Sequence, residues 1–271
     1  MSLNISRLFV LYSRRHPTLI RSRPEFIHFL SGGMAVKLFL LSQKITPSKR
    51  VKSTTDFDFV FAVPKHLSPS QVNSKFRAMD RLMSKHVEGF RKWLVLKYKI
   101  PSKITKSSLV PPVTYNPITK KRIYKVIQFK IEIAGMKPEG LVDATLTHIP
   151  GIRRHQILNT LTRKFGMPVQ RLKYMYKGVL SVLAGTFSNF AMKNTSLASR
   201  NPLVGSRAEK GLKDVARISN LMKAQANATT AAKKLIRHIK QGNVEKAYKQ
   251  ANRVIKNLAT SKSIRKSINK V

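Results

Sequence analysis

Asp56-Phe57-Asp58-Phe59-Val60-Phe61-Ala62-Val63 (DFDFVFAV) is the segment that decides the fold. Asp56, Asp58 and Val60 alternate with Phe57, Phe59 and Phe61, the two-residue period of a β-strand. Two carboxylates thus share one face of an apolar strand. Burying carboxylates is costly without partners, so their presence asks for an explanation. Outward from this strand, Phe26-Ile27-His28-Phe29-Leu30 reads as a short buried strand, broken at Ser31-Gly32-Gly33. The apolar run from Met34 to Gln43 then predicts a largely buried helix, and Ile45 to Thr55 a polar loop. Downstream, Lys125 to Ala134 alternates through Ile127, Phe129, Ile131 and Ile133. Leu141 to Thr147 is a further strand with Asp143 inside it.

Between these strands, Ser68-Pro69-Ser70-Gln71 predicts a helix start with a capping box and a first-turn proline. Val72, Phe76, Met79, Met83, Val87, Phe90 and Leu94 continue it at steps of three and four. Ile100 to Lys121 is rich in Lys and Pro and reads as a loop. From Ile152 onward the pattern reads as helical, through Leu158, Leu161, Phe165, Val169 and Leu172. Asn194 to Gly205 reads as a linker, and the remainder as basic helices. The expected fold class is α+β: a small mixed sheet with flanking helices, then a helical C-terminal region. The expected divisions are a basic segment 1–24, a core 25–150, a helical region 151–200 packed on it, and a basic helical region 206–271.

Fifty-three Lys and Arg face eleven Asp and Glu, a net charge of +42 in 271 residues. Residues 207–271 hold 12 Lys and 5 Arg against Glu209, Asp214 and Glu245, a net +14, which leaves +28 for the rest. The charge is therefore not confined to a tail. With 42% hydrophobic residues the chain can still bury a core. Such an excess opposes compaction unless an anion offsets it. Nucleic acid, contacted through its backbone, is the expected partner, and an acidic protein a further one. No stretch approaches a membrane span of ~20 apolar residues, and Leu8 to Tyr12 is too short for a signal sequence. The absence of cysteine excludes disulfides, thiolate zinc sites and cysteine nucleophiles. The expected location is intracellular and reducing.

Only five aspartates exist: Asp56, Asp58, Asp80, Asp143 and Asp214. Same-face carboxylates on neighbouring strands are able to hold divalent cations that organise a triphosphate and a 3′-hydroxyl. The plainer reading is a set of salt-bridged or edge-strand acids. Strand, Gly-Gly, helix brings backbone N–H groups toward phosphate oxygens, although a lone Gly-Gly is more often an ordinary turn. The seven histidines are scattered, without metal-ligand spacing. There is no Walker motif and no nucleophile elbow.

Taken in order, FLSGGMAVKLFL, STTDFDFVFAV and GLVDATL resemble the nucleotidyltransferase core of the DNA polymerase β superfamily. Within it the chain resembles the poly(A) polymerase-like catalytic proteins of large DNA viruses. The resemblance covers about Glu25 to Pro150. It implies that Ser31, Gly32 and Gly33 hold the triphosphate, that Asp56 and Asp58 bind Mg²⁺ or Mn²⁺, and that Asp143 completes the metal site. Glu132 is an alternative third carboxylate. Lys173 and Tyr174 are the implied nucleotide contacts in the following helical region, and ATP is the implied triphosphate. The segment between Gly33 and Asp56 is longer than is usual in the family. The implied activity is transfer of a nucleoside monophosphate to a nucleic acid 3′-end, in host cytoplasm or a virion. The alternative is an inactive relative acting as a basic nucleic-acid-binding or virion structural protein.

Overall fold

The structure is a computed structural model. It describes residues 4–19, 26–63, 65–109, 115–116, 121–133, 137–149, 154–159, 161–187, 203–224 and 228–260. These fall into two compact units, one of residues 1–42 and 54–171, the other of residues 43–53 and 172–271. The first is α+β and the second helical, as the sequence predicts.

The first unit is built on a mixed sheet. Its strands are β1 (Ile27–Ser31), β2 (Phe57–Val63), β3 (Ser102–Leu109), β4 (Tyr115–Asn116), β5 (Lys121–Ile133), β6 (Glu139–His148), β7 (Leu161–Lys164) and β8 (Met167–Gln170). The order is β3-β5-β6-β2-β1-β8-β7, with β4 paired to β5. The β2–β6 and β1–β8 pairs are parallel and the others antiparallel. β2 is central and covered on both faces. It is therefore buried beyond Asp58 instead of alternating in exposure. On one face Phe57 meets Phe9, their ring centroids 4.7 Å apart, and Phe61 meets Phe26 at 4.8 Å. On the other, Val60 and Ala62 join Ile27, Phe29 and Ile157.

Phe9 belongs to α1 (Ile5–Arg15), a helix inside the segment that sequence patterning left unassigned. Asn4 caps it, accepting from the Arg7 amide at 2.9 Å. Phe9 and Tyr12 are buried against Phe90 and His86 of the long helix α4 (Pro69–Tyr98). Truncation of Phe9 to Ala would cost about 3–5 kcal/mol. The predicted capping box is present at Ser68 and Gln71. The buried stripe of α4 runs Met79, Leu82, Met83, His86, Val87, Phe90 and Leu94. His86 is held between Ser13 Oγ at 2.9 Å and Thr18 Oγ1 at 2.6 Å from its two ring nitrogens. Burial, then the neighbouring His16 and His28, lower its pKa to about 3.

Two expectations are corrected here. Ser102 to Leu109 is not loop but the edge strand β3. It is almost wholly exposed, so no apolar alternation betrays it. Its Lys103 and Lys106 are the charges that keep an edge from pairing with another chain. Lys106 also bonds Asp80 at 2.9 Å, and Lys125 lies over the Phe76 ring at 4.6 Å. Part of the basic run thus has structural partners. Residues 161–170 are not helical. After the short α5 (Arg154–Asn159) they form the β7–β8 hairpin, turned by Phe165 and Gly166 at φ 51° and 79°. A turn with positive φ at both central residues matches the twist of the strands it joins. The period of Leu161, Phe165 and Val169 mimics a helix, and Phe165 conceals the turn.

The second unit holds α3 (Lys49–Lys52), α6 (Leu172–Thr186), α7 (Leu203–Lys223), α8 (Thr230–Lys240) and α9 (Val244–Thr260). The segment read as a polar loop carries α3 and is docked there. Val51 is 1% exposed, and Asn220 of α7 accepts from the Ser48 amide at 3.0 Å and donates to its hydroxyl at 2.9 Å. Arg21, Arg23 and most of the expected linker fall outside the described residues, while Leu203 to Gly205 open α7. Among the described residues no helix is long and apolar enough to cross a membrane.

Candidate active site

The local sequence at β1 sets the site. Ser31 is the last residue of β1 and Gly32 the first of α2 (Gly32–Ser42), with no linker between them. Gly32 makes this turn at φ 64°, a conformation open to glycine and costly for others. A Cβ there would overlap Asp58 Oδ2. The Asp58 carboxylate therefore rests directly on the backbone at the head of α2, and only glycine allows it.

Register places the remaining polar residues. Ser31 pairs with Asp58 across β1–β2, Asp58 with Asp143 across β2–β6, and Asp143 with Gln128 across β5–β6. Gln128, Asp143, Asp58 and Ser31 form one transverse row over four strands. Cα atoms on neighbouring strands stand about 4.8 Å apart, so the two aspartates are direct cross-strand neighbours of like charge.

Asp56 immediately precedes β2 and shares the parity of Asp58. Its approach is fixed by two clamps on the residues before it. Lys37 Nζ of α2 donates to Thr54 O at 2.9 Å, and Ser6 Oγ of α1 donates to Thr55 O at 3.0 Å. All three aspartates are half-buried. Burial raises the pKa of Asp143, and the charge of Asp56 raises it further. The hydrogen bond from Gln128 Nε2 at 3.2 Å and the charge of Lys130 act the other way. Asp56 is thus close enough to Asp143 to be felt. Among the described residues neither Asp56 nor Asp143 forms an ion pair. Asp80 and Asp214 do, with Lys106 and Arg217, each at 2.9 Å. Asp80 and Asp214 are thus held by cations, and Asp56, Asp58 and Asp143 lie at one end of the sheet.

The donor set is carboxylate oxygen alone, which suits a hard cation such as Mg²⁺ or Mn²⁺. A cation would also relieve the repulsion felt by Asp143. Among the described residues, however, no three His, Asp or Glu side chains stand at metal-holding spacing. The fit is one of donor chemistry and charge, not of a closed coordination shell. Glu132 lies exposed opposite Lys103 of β3, four residues from Gln128, which occupies the place facing Asp143. Ser31 Oγ donates to Asp58 O at 3.2 Å, tying the turn to the acidic strand. Gly33 is buried at the first turn of α2. Lys173 and Tyr174 lie exposed on the first turn of α6 in the second unit. Gln128, Lys37 and Ser6 are contributions the sequence reading missed. Gln128 alone carried a signal, as the one uncharged polar residue between Lys125 and Ile133.

No family model matches the chain, and no curated protein matches it. Three solved structures are similar to it. The Megavirus polyadenylate synthase has a TM-score of 0.39 and 10% identity over 96% of this chain. The chain spans 50% of that protein's length. JHP933 from Helicobacter pylori has a TM-score of 0.31 and 10% identity over 97% of this chain and 94% of its own. A putative nucleotidyltransferase from H. pylori has a TM-score of 0.33 and 12% identity over 93% of this chain and 92% of its own.

Proposed function

We propose that the chain is a metal-dependent nucleotidyltransferase that adds nucleoside monophosphates to a nucleic acid 3′-end, in the manner of a poly(A) polymerase. The observation that carries this is the row Gln128–Asp143–Asp58–Ser31, with Asp58 against Gly32 at the head of α2. Three carboxylates gathered at one end of the sheet, with the charge of Asp56 acting on Asp143, are what a divalent cation would neutralise. Asp56, Asp58 and Asp143 would hold Mg²⁺ or Mn²⁺, which when bound supplies charge neutralisation for the phosphates and activation of the attacking hydroxyl. Ser31, Gly32 and Gly33 would receive the triphosphate of ATP, since the amides at a helix N-terminus favour anions. Lys173 and Tyr174 would contact the nucleotide. Gln128 would orient Asp143. The excess of Lys and Arg would hold the nucleic acid strand by its phosphates. The proposed setting is a reducing intracellular one, host cytoplasm or the virion of a large DNA virus.

A second reading keeps the fold and drops the chemistry: a basic nucleic-acid-binding or virion protein. The lack of three metal-spaced side chains among the described residues favours it. Nucleotide incorporation on a 3′-end, assayed with Mg²⁺ and with Mn²⁺, separates the two. Elongation by the wild type, reduced at least about a hundredfold in Asp56→Ala/Asp58→Ala, is expected of the enzyme. Elongation by neither, with binding to nucleic acid intact, leaves the second reading.

A further inference from the structure

The second unit carries a groove that this chemistry does not use. It lies between α7 and α8 and encloses about 720 Å³. Met222 and Lys223 line it from α7, and Lys233, Ile236, Arg237 and Lys240 from α8. The α8 residues follow i, i+3, i+4, i+7, one continuous helical stripe. That stripe shares Ile236 with the buried face of Ala232, Leu235 and Ile239, and its three cations lie on the exposed side. The half-buried Met222, with the edge of the buried Ile236 beneath it, gives the groove an apolar floor. The four cations are exposed and, among the described residues, none forms an ion pair.

We propose that this groove docks an acidic amphipathic helix of a partner protein. A floor of Met and Ile flanked by cations at helical spacing is the mirror of a helix with an apolar stripe edged by Glu or Asp. Methionine adapts readily to a foreign apolar surface. Unpaired like charges crowded along one groove favour a partner of opposite sign and speed its approach. Among the described residues no aromatic ring lines the groove, so none there offers a stacking platform for bases. Residues 188–202, 225–227 and 261–271 contain no Asp or Glu, and a second copy brings another +42. The inference is independent of the carboxylate site.

The test uses the full chain and a fluorescent peptide of about 15 residues, roughly four helical turns, with Leu at i, i+3, i+4, i+7 and Glu elsewhere. Binding is followed by anisotropy at two salt concentrations. Saturable binding is expected, weakened about tenfold or more by Lys233→Glu/Arg237→Glu and severalfold by Met222→Ser. The same reversal on α9, Lys246→Glu/Arg253→Glu, should leave it within twofold. All four positions are exposed, so these changes leave the fold intact, and the neutral pair Lys233→Gln/Arg237→Gln should give the same ranking. Three results overturn the proposal: an equal loss in the α9 variant, equal binding of an isocharged peptide broken by prolines, or tighter binding of a single-stranded oligonucleotide that Lys233→Glu/Arg237→Glu selectively abolishes. The last would make the groove a nucleic-acid site.

Discussion

The two ends of the parallel β2–β6 pair solve the problem of polar residues in a sheet in opposite ways. Where the strands begin, Asp58 faces Asp143, and Asp143 accepts a hydrogen bond from Gln128. Five residues on, Val63 faces His148, and the polar groups find hydrogen-bond partners, although the charges of His66 and Arg122 oppose protonation of His148. His148 Nδ1 donates to Val63 O at 3.3 Å, and Thr147 Oγ1 donates to Arg122 O at 2.9 Å. Arg122, whose guanidinium reaches His66 Nε2 at 2.7 Å, stands opposite His148 on β5. At the later end the polar groups are joined by hydrogen bonds, whereas at the earlier one the charge of Asp56 acts on the partly buried Asp143. Paired polar residues stabilise a sheet, and a carboxylate whose pKa is raised by burial and a like charge is a candidate for chemistry.

The difference has opposite signs in pH. Burial lowers the pKa of His148, so its neutral form is the native one and its contribution to stability shrinks as pH falls below the unfolded value of 6.5. Burial raises the pKa of Asp143. Its ionisation therefore costs native stability above the unfolded value of 3.8, and the cost vanishes as pH falls below it.

Gly32→Ala should break the comparison most. The new methyl group must displace the Asp58 carboxylate and strain a φ of 64°. Incorporation should fall about a hundredfold, while the melting temperature drops only a few degrees. An active Gly32→Ala chain would remove Asp58 from the proposed chemistry. At the other end, His148→Gln should destabilise by about 1–2 kcal/mol at neutral pH and leave incorporation by the folded protein near wild type. The stability gap should narrow in denaturation curves taken progressively below pH 6.5; a gap that widens there would reverse the assignment of the two ends.

Asp143→Asn should raise the melting temperature by roughly 2–4 °C at neutral pH, with no gain once the solution is more acid than 3.8. Incorporation should be lost in the same variant. A lower melting temperature at neutral pH would mean that the acidic row is structural. The smallest effect is expected of Gln128→Leu. Without the donor that lowers its pKa, Asp143 should ionise later, and the acid limb of incorporation should move to higher pH. An unmoved limb would separate Asp143 from the rate.

The sequence was most readable where burial is one-sided or the local chemistry is explicit. The capping box at Ser68, the apolar face of α4 and the turn at Ser31-Gly32-Gly33 are written in adjacent residues. It was least readable where neighbours distant in the chain decide. β3 has no buried face to set an alternation. The β7–β8 turn hides behind Phe165, and α1 has its partners on α4, more than seventy residues away.

Composition alone determined that the chain is strongly cationic, free of cysteine and able to form a core, because charge and hydropathy sum residue by residue. The two-residue period of 56–63 likewise set Asp56 and Asp58 on one face. Only the tertiary structure decided that Asp143 comes into register with Asp58, that Gln128 and not Glu132 faces it, and that residues 43–53 join the second unit. Strand register and docking are set by pairing between segments far apart in sequence, and no local pattern encodes which residue will stand opposite which.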